Sequence, residues 1–166
     1  RAHSNAWINA PLFFDLPVKP TLKVVAGRDE AAMQSFASRW GWEEVSTDWK
    51  ATIERDDIDI VDIALPTYLH YEAALAAAKA GKHIFCEKPF AMNVAQSQEM
   101  LDAAEAAGVV HYLNHNYRRC PAVAFAKQLI DEGRIGQPYH YRGAYQQSWL
   151  IDPEKPIDWK LRKATA

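Results

Sequence analysis

What the 166-residue chain lacks narrows its chemistry first. It carries only two cysteines, Cys86 and Cys120, whose number and spacing suit neither a disulfide framework nor a metal site, so both are expected to be reduced thiols without chemistry. It has no surplus of positive charge. The 19 Lys and Arg against 21 Asp and Glu leave a net charge of -2, which gives nucleic acid or an anionic membrane no basis for binding and favours small-molecule ligands. No apolar run approaches the ~20 residues a membrane helix needs. No internal repeat occurs, and no low-complexity tract beyond one Ala-rich helix. The chain also opens on Arg1 rather than Met, with no leading strand before RAHSNAWINA. A fragment is therefore expected, cytoplasmic in location, with an export signal ahead of Arg1 left open.

What is present is an ordinary globular composition, 49% hydrophobic and 24% charged, enough for one domain and part of another. Ala2, Ala6, Ala10 and Phe13 recur at helical spacing until Pro17 and Pro20 break the pattern. Leu22 to Gly27 reads as a buried strand, after which Asp29 caps a helix with the stripe Met33, Phe36, Ala37 and Trp40, closed by Gly41. Ile58 to Leu65 supplies a second strand, and Thr67 caps the Ala-rich helix that ends at Lys79, Ala80 and Gly81. KHIFCE is a third strand; Asn93 then caps a helix carrying Val94, Leu101 and Ala104 to a stop at Gly108, and VVHYLNHN is a fourth. Strands alternating with helices of this length imply right-handed crossovers and a mostly parallel α/β sheet of Rossmann type.

After Tyr117 the rhythm changes. Pro121 starts a helix with Phe125, Leu129 and Ile130 expected to face inward, and QPYHYRGAYQQSWL alternates like a strand of a different sheet. The domain boundary is placed at 119/120, giving a nucleotide-binding unit at 1–119 and the truncated start of a second α/β domain with an open sheet at 120–166.

Ligands of open parallel sheets bind beyond the carboxyl ends of the strands, and the polar clusters GRD, PTYLH, EKP and NHNYRR all fall at such ends. The most pointed is IFCEKPFAMN, where an acid and a base directly follow a buried strand. Pro89 disfavours the helical region for Lys88 and cannot donate a main-chain hydrogen bond, so the chain must turn with Lys88 held extended. Taken singly, each cluster has a plain explanation as a helix cap, a solvated ion pair or a surface charge run. Their common edge favours one cleft.

The run DIVDIALPTYLHYEAALAAAKAGKHIFCEKPFAMN, then NYRRCPA and AKQLIDEGRIGQPYHYRG, resembles the Gfo/Idh/MocA family, named for glucose-fructose oxidoreductase, inositol dehydrogenase and rhizopine catabolism. The resemblance implies a nucleotide-binding domain followed by an α/β domain whose open sheet faces the nicotinamide, and oxidoreduction of sugars, cyclitols or related polyols with NAD or NADP. It implies Lys88 as catalytic residue, with Glu87 orienting it or offsetting its charge. Arg28, Pro66, Thr67, His70, Glu87, Lys88 and Asn116 would hold the cofactor. Tyr117, Arg118, Trp149 and Asp152 would wall the substrate, Trp149 having the alternative of a core position in the second sheet.

Arg28 after Gly27 leans the cofactor toward NADP, because no carboxylate stands there to repel a 2′-phosphate; covering the adenine face is its other reading. The family's Gly-rich turn would lie before Arg1, and its downstream acid and histidine beyond Ala166. The complete protein is expected to be a homo-oligomer. The competing expectation is a non-catalytic nucleotide-binding or assembly module.

Overall fold

The computed structural model describes residues 1–157, 161 and 162. Its elements run α1 (Ala2–Phe13), β1 (Val24–Ala26), α2 (Glu30–Trp40), β2 (Glu44–Ser46), α3 (Trp49–Ile53) and β3 (Ile60–Ile63). A 3-10 turn at Thr67–Leu69 leads into α4 (His70–Lys79), followed by β4 (His83–Glu87), α5 (Val94–Ala106) and β5 (His111–Asn114). A second 3-10 turn, Asn116–Arg119, precedes α6 (Pro121–Asp131). All strand pairs are parallel: β1 with β2, and separately β3, β4 and β5 in that order. Among the described residues no helix is long and apolar enough to cross a membrane.

The expected α/β alternation is present, with local chemistry in its expected places. The Asp29 carboxylate accepts the Ala32 N–H at 2.9 Å, the Asn93 side chain accepts that of Gln96 at 2.9 Å, and Gly41 ends α2 in the left-handed region at φ +74°. β2 and α3 lie where no element was expected, since three strand residues and five helical ones are too short to show a period. Arg55, just after α3, forks onto the β2 carboxylate of Glu44 at 2.6 and 2.9 Å and onto Asp57, whose carboxyl its hydrogen bond holds down to about 2. The Ala-rich helix begins at His70 instead of directly after Thr67, which is 2% exposed and makes no cap bond.

The core fills one face of the three-stranded sheet. Ile84 and Cys86 of β4 and Ile63 of β3 pack under Ala73, Ala74, Ala77 and Ala78 of α4 and Met100 and Ala104 of α5. The methyl side chains let α4 approach closely, and each fully buried larger side chain contributes on the order of 1.5–3 kcal/mol. Strand residues alternate between faces, so Phe85 and Glu87 look the other way. There Phe85 stands in register between Asp62 and Tyr112, and Glu87 beside Asn114.

α1 covers that second face, and it does so with different residues from those its alanine spacing suggests. Phe13 is 79% exposed, whereas His3, buried Ser4 and Trp7 turn inward, His3 and Trp7 meeting Phe85 edge-on. Val94 likewise faces water, and Met100 takes the inward position of α5. Phe125 and Ile130 of α6 are also exposed rather than inward, and no strand forms over residues 137–150, where Tyr139 is 94% exposed. The cause is common to both corrections: an apolar face or an alternating strand needs a partner, and none of the described residues supplies one.

Candidate active site

β3, β4 and β5 deliver Pro66, Glu87–Lys88 and Asn116 to the same end of one parallel sheet, because each expected polar cluster follows its strand directly. Lys88 borders an open cavity of about 460 Å³ together with His115, Asn116, Tyr117 and Arg118. Four residues expected at the site thus share one wall. The Lys88–Pro89 peptide is cis.

His70 is the first residue of α4, and its ring is buried rather than turned to solvent. It is 1% exposed, with Nδ1 2.9 Å from the Pro89 carbonyl oxygen and 3.3 Å from that of Phe90, while Nε2 lies 2.8 Å from that of Leu65. The ring therefore braces the end of β3 against the Lys88–Pro89 turn, and buried Thr67 sits beside it in the chain. Arg28 is exposed at the end of β1, and the neighbouring Asp29 carboxylate is committed to capping α2.

The candidate substrate residues divide into two groups. Tyr117 and Arg118 line the Lys88 cavity, and the Tyr117 hydroxyl lies 2.9 Å from that of Tyr145. Trp149 and Asp152 are not among the lining residues. Trp149, 42% exposed, donates to Gln147 Oε1 at 2.9 Å and stacks beneath Lys155, whose ammonium is 4.6 Å from the ring centre; Asp152 accepts the Glu154 N–H at 2.9 Å. Among the described residues no core forms around Trp149.

Glu87 is more closely held than a solvated strand-end acid. Its Oε1 lies 2.9 Å from His3 Nε2 and accepts from Asn114 Nδ2 at 2.5 Å, and its Oε2 accepts the Lys88 main-chain N–H at 3.0 Å. Desolvation alone would raise its pKa, but the donors from His3, Asn114 and Lys88 outweigh it and hold the carboxyl below the ordinary range. On its other side His3 Nδ1 lies 2.7 Å from Asp62 Oδ1, and Asp62 Oδ2 accepts from Trp7 Nε1 at 2.7 Å. His3, Asp62, Asn114 and Trp7 were not expected at the site. The available signals were a carboxylate in the apolar run of β3 and the i, i+4 spacing of His3 and Trp7.

Such a site can orient a polar ligand and stabilise negative charge on oxygen, with Lys88 and Arg118 as cations and Asn116, Tyr117 and His115 as hydrogen-bonding groups. Residues 1–115 match the family model described as an oxidoreductase family with an NAD-binding Rossmann fold. The levoglucosan dehydrogenase of Pseudarthrobacter phenanthrenivorans is 45% identical over the whole of this chain and 43% of its own. A solved structure of levoglucosan dehydrogenase in complex with NADH and levoglucosan aligns with TM-score 0.94 at 45% identity, covering 99% of this chain and 45% of that one. An oxidoreductase domain protein from Kribbella flavida aligns with TM-score 0.95 at 46% identity, with 99% and 45% covered. The chain spans less than half the length of these relatives.

Proposed function

Because the chain belongs to the Gfo/Idh/MocA oxidoreductase family, with its NAD-binding Rossmann fold, we propose that the protein exchanges a hydride between a nicotinamide dinucleotide and a sugar, cyclitol or related polyol. The observation that carries the proposal is Lys88 at the rim of one cavity with Asn116, Tyr117 and Arg118. Those donors suit the hydroxyls and carboxamide of such ligands. When bound, the nicotinamide supplies the hydride acceptor or donor.

The chain's own residues do the rest. The Lys88 ammonium hydrogen-bonds the reacting substrate oxygen and stabilises negative charge developing there. Glu87 fixes the Lys88 main chain through its N–H. Asn116, Pro66 and Thr67 border the dinucleotide, with His70 positioning the turn from behind, and Tyr117 and Arg118 hold the polyol. Trp149 and Asp152 belong to the proposal only as part of the following segment, which begins a second domain after about residue 120. Homo-oligomerisation of the complete protein is part of the same reading.

At the adenosine end, Arg28 supports the phosphorylated cofactor and the NADH bound in a relative supports the unphosphorylated one. The lean to NADP therefore rests on Arg28 alone. Lys88→Met in the complete protein, extended beyond both ends of this chain, tests the central assignment: removing a well-placed electrostatic donor lowers kcat about 100-fold to 1000-fold while dinucleotide affinity is retained. Turnover close to that of the unaltered protein would refute it and favour the non-catalytic module.

A further inference from the structure

We propose that His3, carried as an imidazolium, is a positioning residue that orients Glu87 and through it the Lys88 main chain, so that the setting of the Lys88 turn follows the protonation of His3. The inference goes beyond the oxidoreductase reading and does not depend on it.

The geometry demands a proton count. Both ring nitrogens of His3 face carboxylate oxygens, Nδ1 that of Asp62 at 2.7 Å and Nε2 that of Glu87 at 2.9 Å. An ionised carboxylate only accepts, and a neutral imidazole has one donor, so two ionised acids require both nitrogens protonated. The alternative keeps the same number of protons but moves one from the ring to an acid. Imidazole is the stronger base by about two pKa units, which leaves the proton on His3.

Three further donors reinforce ionised acids: Trp7 Nε1 on Asp62, and Asn114 Nδ2 and the Lys88 N–H on Glu87. The pair is shielded enough to matter, the side chains of His3, Asp62 and Glu87 being 18%, 16% and 25% exposed. The hydrogen bond to Asp62 is the main cause raising the pKa of His3, opposed by desolvation and assisted by Glu87.

The groups facing His3 come from every element packed on it: Trp7 of α1, Asp62 of β3, Glu87 and Phe85 of β4, and Asn114 of β5. Asp62 and Glu87 are the charged ones among the described residues. Loss of the proton leaves the shorter, less exposed contact to Asp62 with the remaining N–H. Nε2 then turns a lone pair toward Glu87 Oε1.

Asn114 Nδ2, 3.5 Å from Nε2 and bonded to Glu87 in the protonated arrangement, gains a second acceptor. Glu87 loses one donor and shares another, and its hold on the Lys88 N–H weakens. Nothing comparable acts on the far side of Lys88, where His70 braces Pro89 through neutral carbonyls.

The test follows the ring of His3 and the amide of Lys88 by NMR in the complete protein from pH 5.5 to 9. The expected result is a His3 midpoint above 6.5 and a step in the Lys88 amide shift at that same midpoint. His3→Gln should remove the step in that window. A His3 midpoint at or below 6.5, a Lys88 amide shift flat through the midpoint, or a step that persists in His3→Gln overturns the proposal.

Discussion

Asp62→Asn isolates the other half of the His3 network, because the exchange keeps shape while replacing one acceptor oxygen by a donor. In the native arrangement Asp62 Oδ1 faces His3 Nδ1 and Oδ2 accepts from Trp7 Nε1, both at 2.7 Å. Whichever way the amide turns, its nitrogen meets an N–H, unless His3 becomes neutral and Nδ1 accepts. One charge-assisted hydrogen bond is lost, worth about 1.5–3 kcal/mol when fully shielded. With side chains 16–18% exposed, about 1–2 kcal/mol remains after allowance for solvent screening. For a chain of this size that lowers Tm by about 2–8 °C.

The pH dependence follows from the raised pKa of His3. A group whose folded pKa exceeds its unfolded value adds stability that is fully present below about 6.5 and is lost as pH rises through the folded midpoint. The deficit of Asp62→Asn should therefore be largest near pH 6 and shrink toward pH 9. Paired thermal melts of the full chain at the two pH values check this. A Tm difference equal at both would refute the imidazolium assignment, whatever its size.

Cys86 is 1% exposed, and desolvation pushes its thiol up to about 12, whereas Cys120 is half-buried. One thiol should react promptly with a thiol-titrating disulfide at pH 8 and the other only after denaturation; two fast equivalents would contradict the packing of β4. Arg28→Ala should weaken NADP binding about 10-fold with little change for NAD, as one lost charge-assisted contact requires. Equal responses of the two dissociation constants would leave Arg28 with the adenine face only.

The framework was legible because it is written in redundant local signals. Asp29 and Asn93 announce the starts of α2 and α5, Gly41 closes α2, and the apolar stretches of β3 to β5 alternate with helices long enough to cross over. The candidate site was legible where a residue falls within two positions of a strand's end, as Lys88 and Asn116 do. His3 was not, because the acids it meets lie 59 and 84 positions away in sequence. Composition likewise pointed to the wrong face of α1: alanine spacing suggests a stripe, but two strongly hydrogen-bonding side chains found acceptors on the sheet and turned the helix toward them. The aromatics near Tyr139 alternate as a strand should, yet alternation cannot provide the neighbouring edge that makes one.

The one-sided core sets the order in which the three-stranded sheet gives up its protection. The buried cluster lies on the face that carries α4 and α5, whereas α1 holds the other face through His3 and Trp7 on Asp62 and through His3 on Glu87. The amides of β3, β4 and β5 should therefore be the last to exchange with deuterium, while those of α1 exchange earlier. Equal protection of α1 and the three strands would mean that they form a single cooperative unit. Otherwise α1 is a latch, and its release uncovers the Lys88 turn before the sheet beneath it melts.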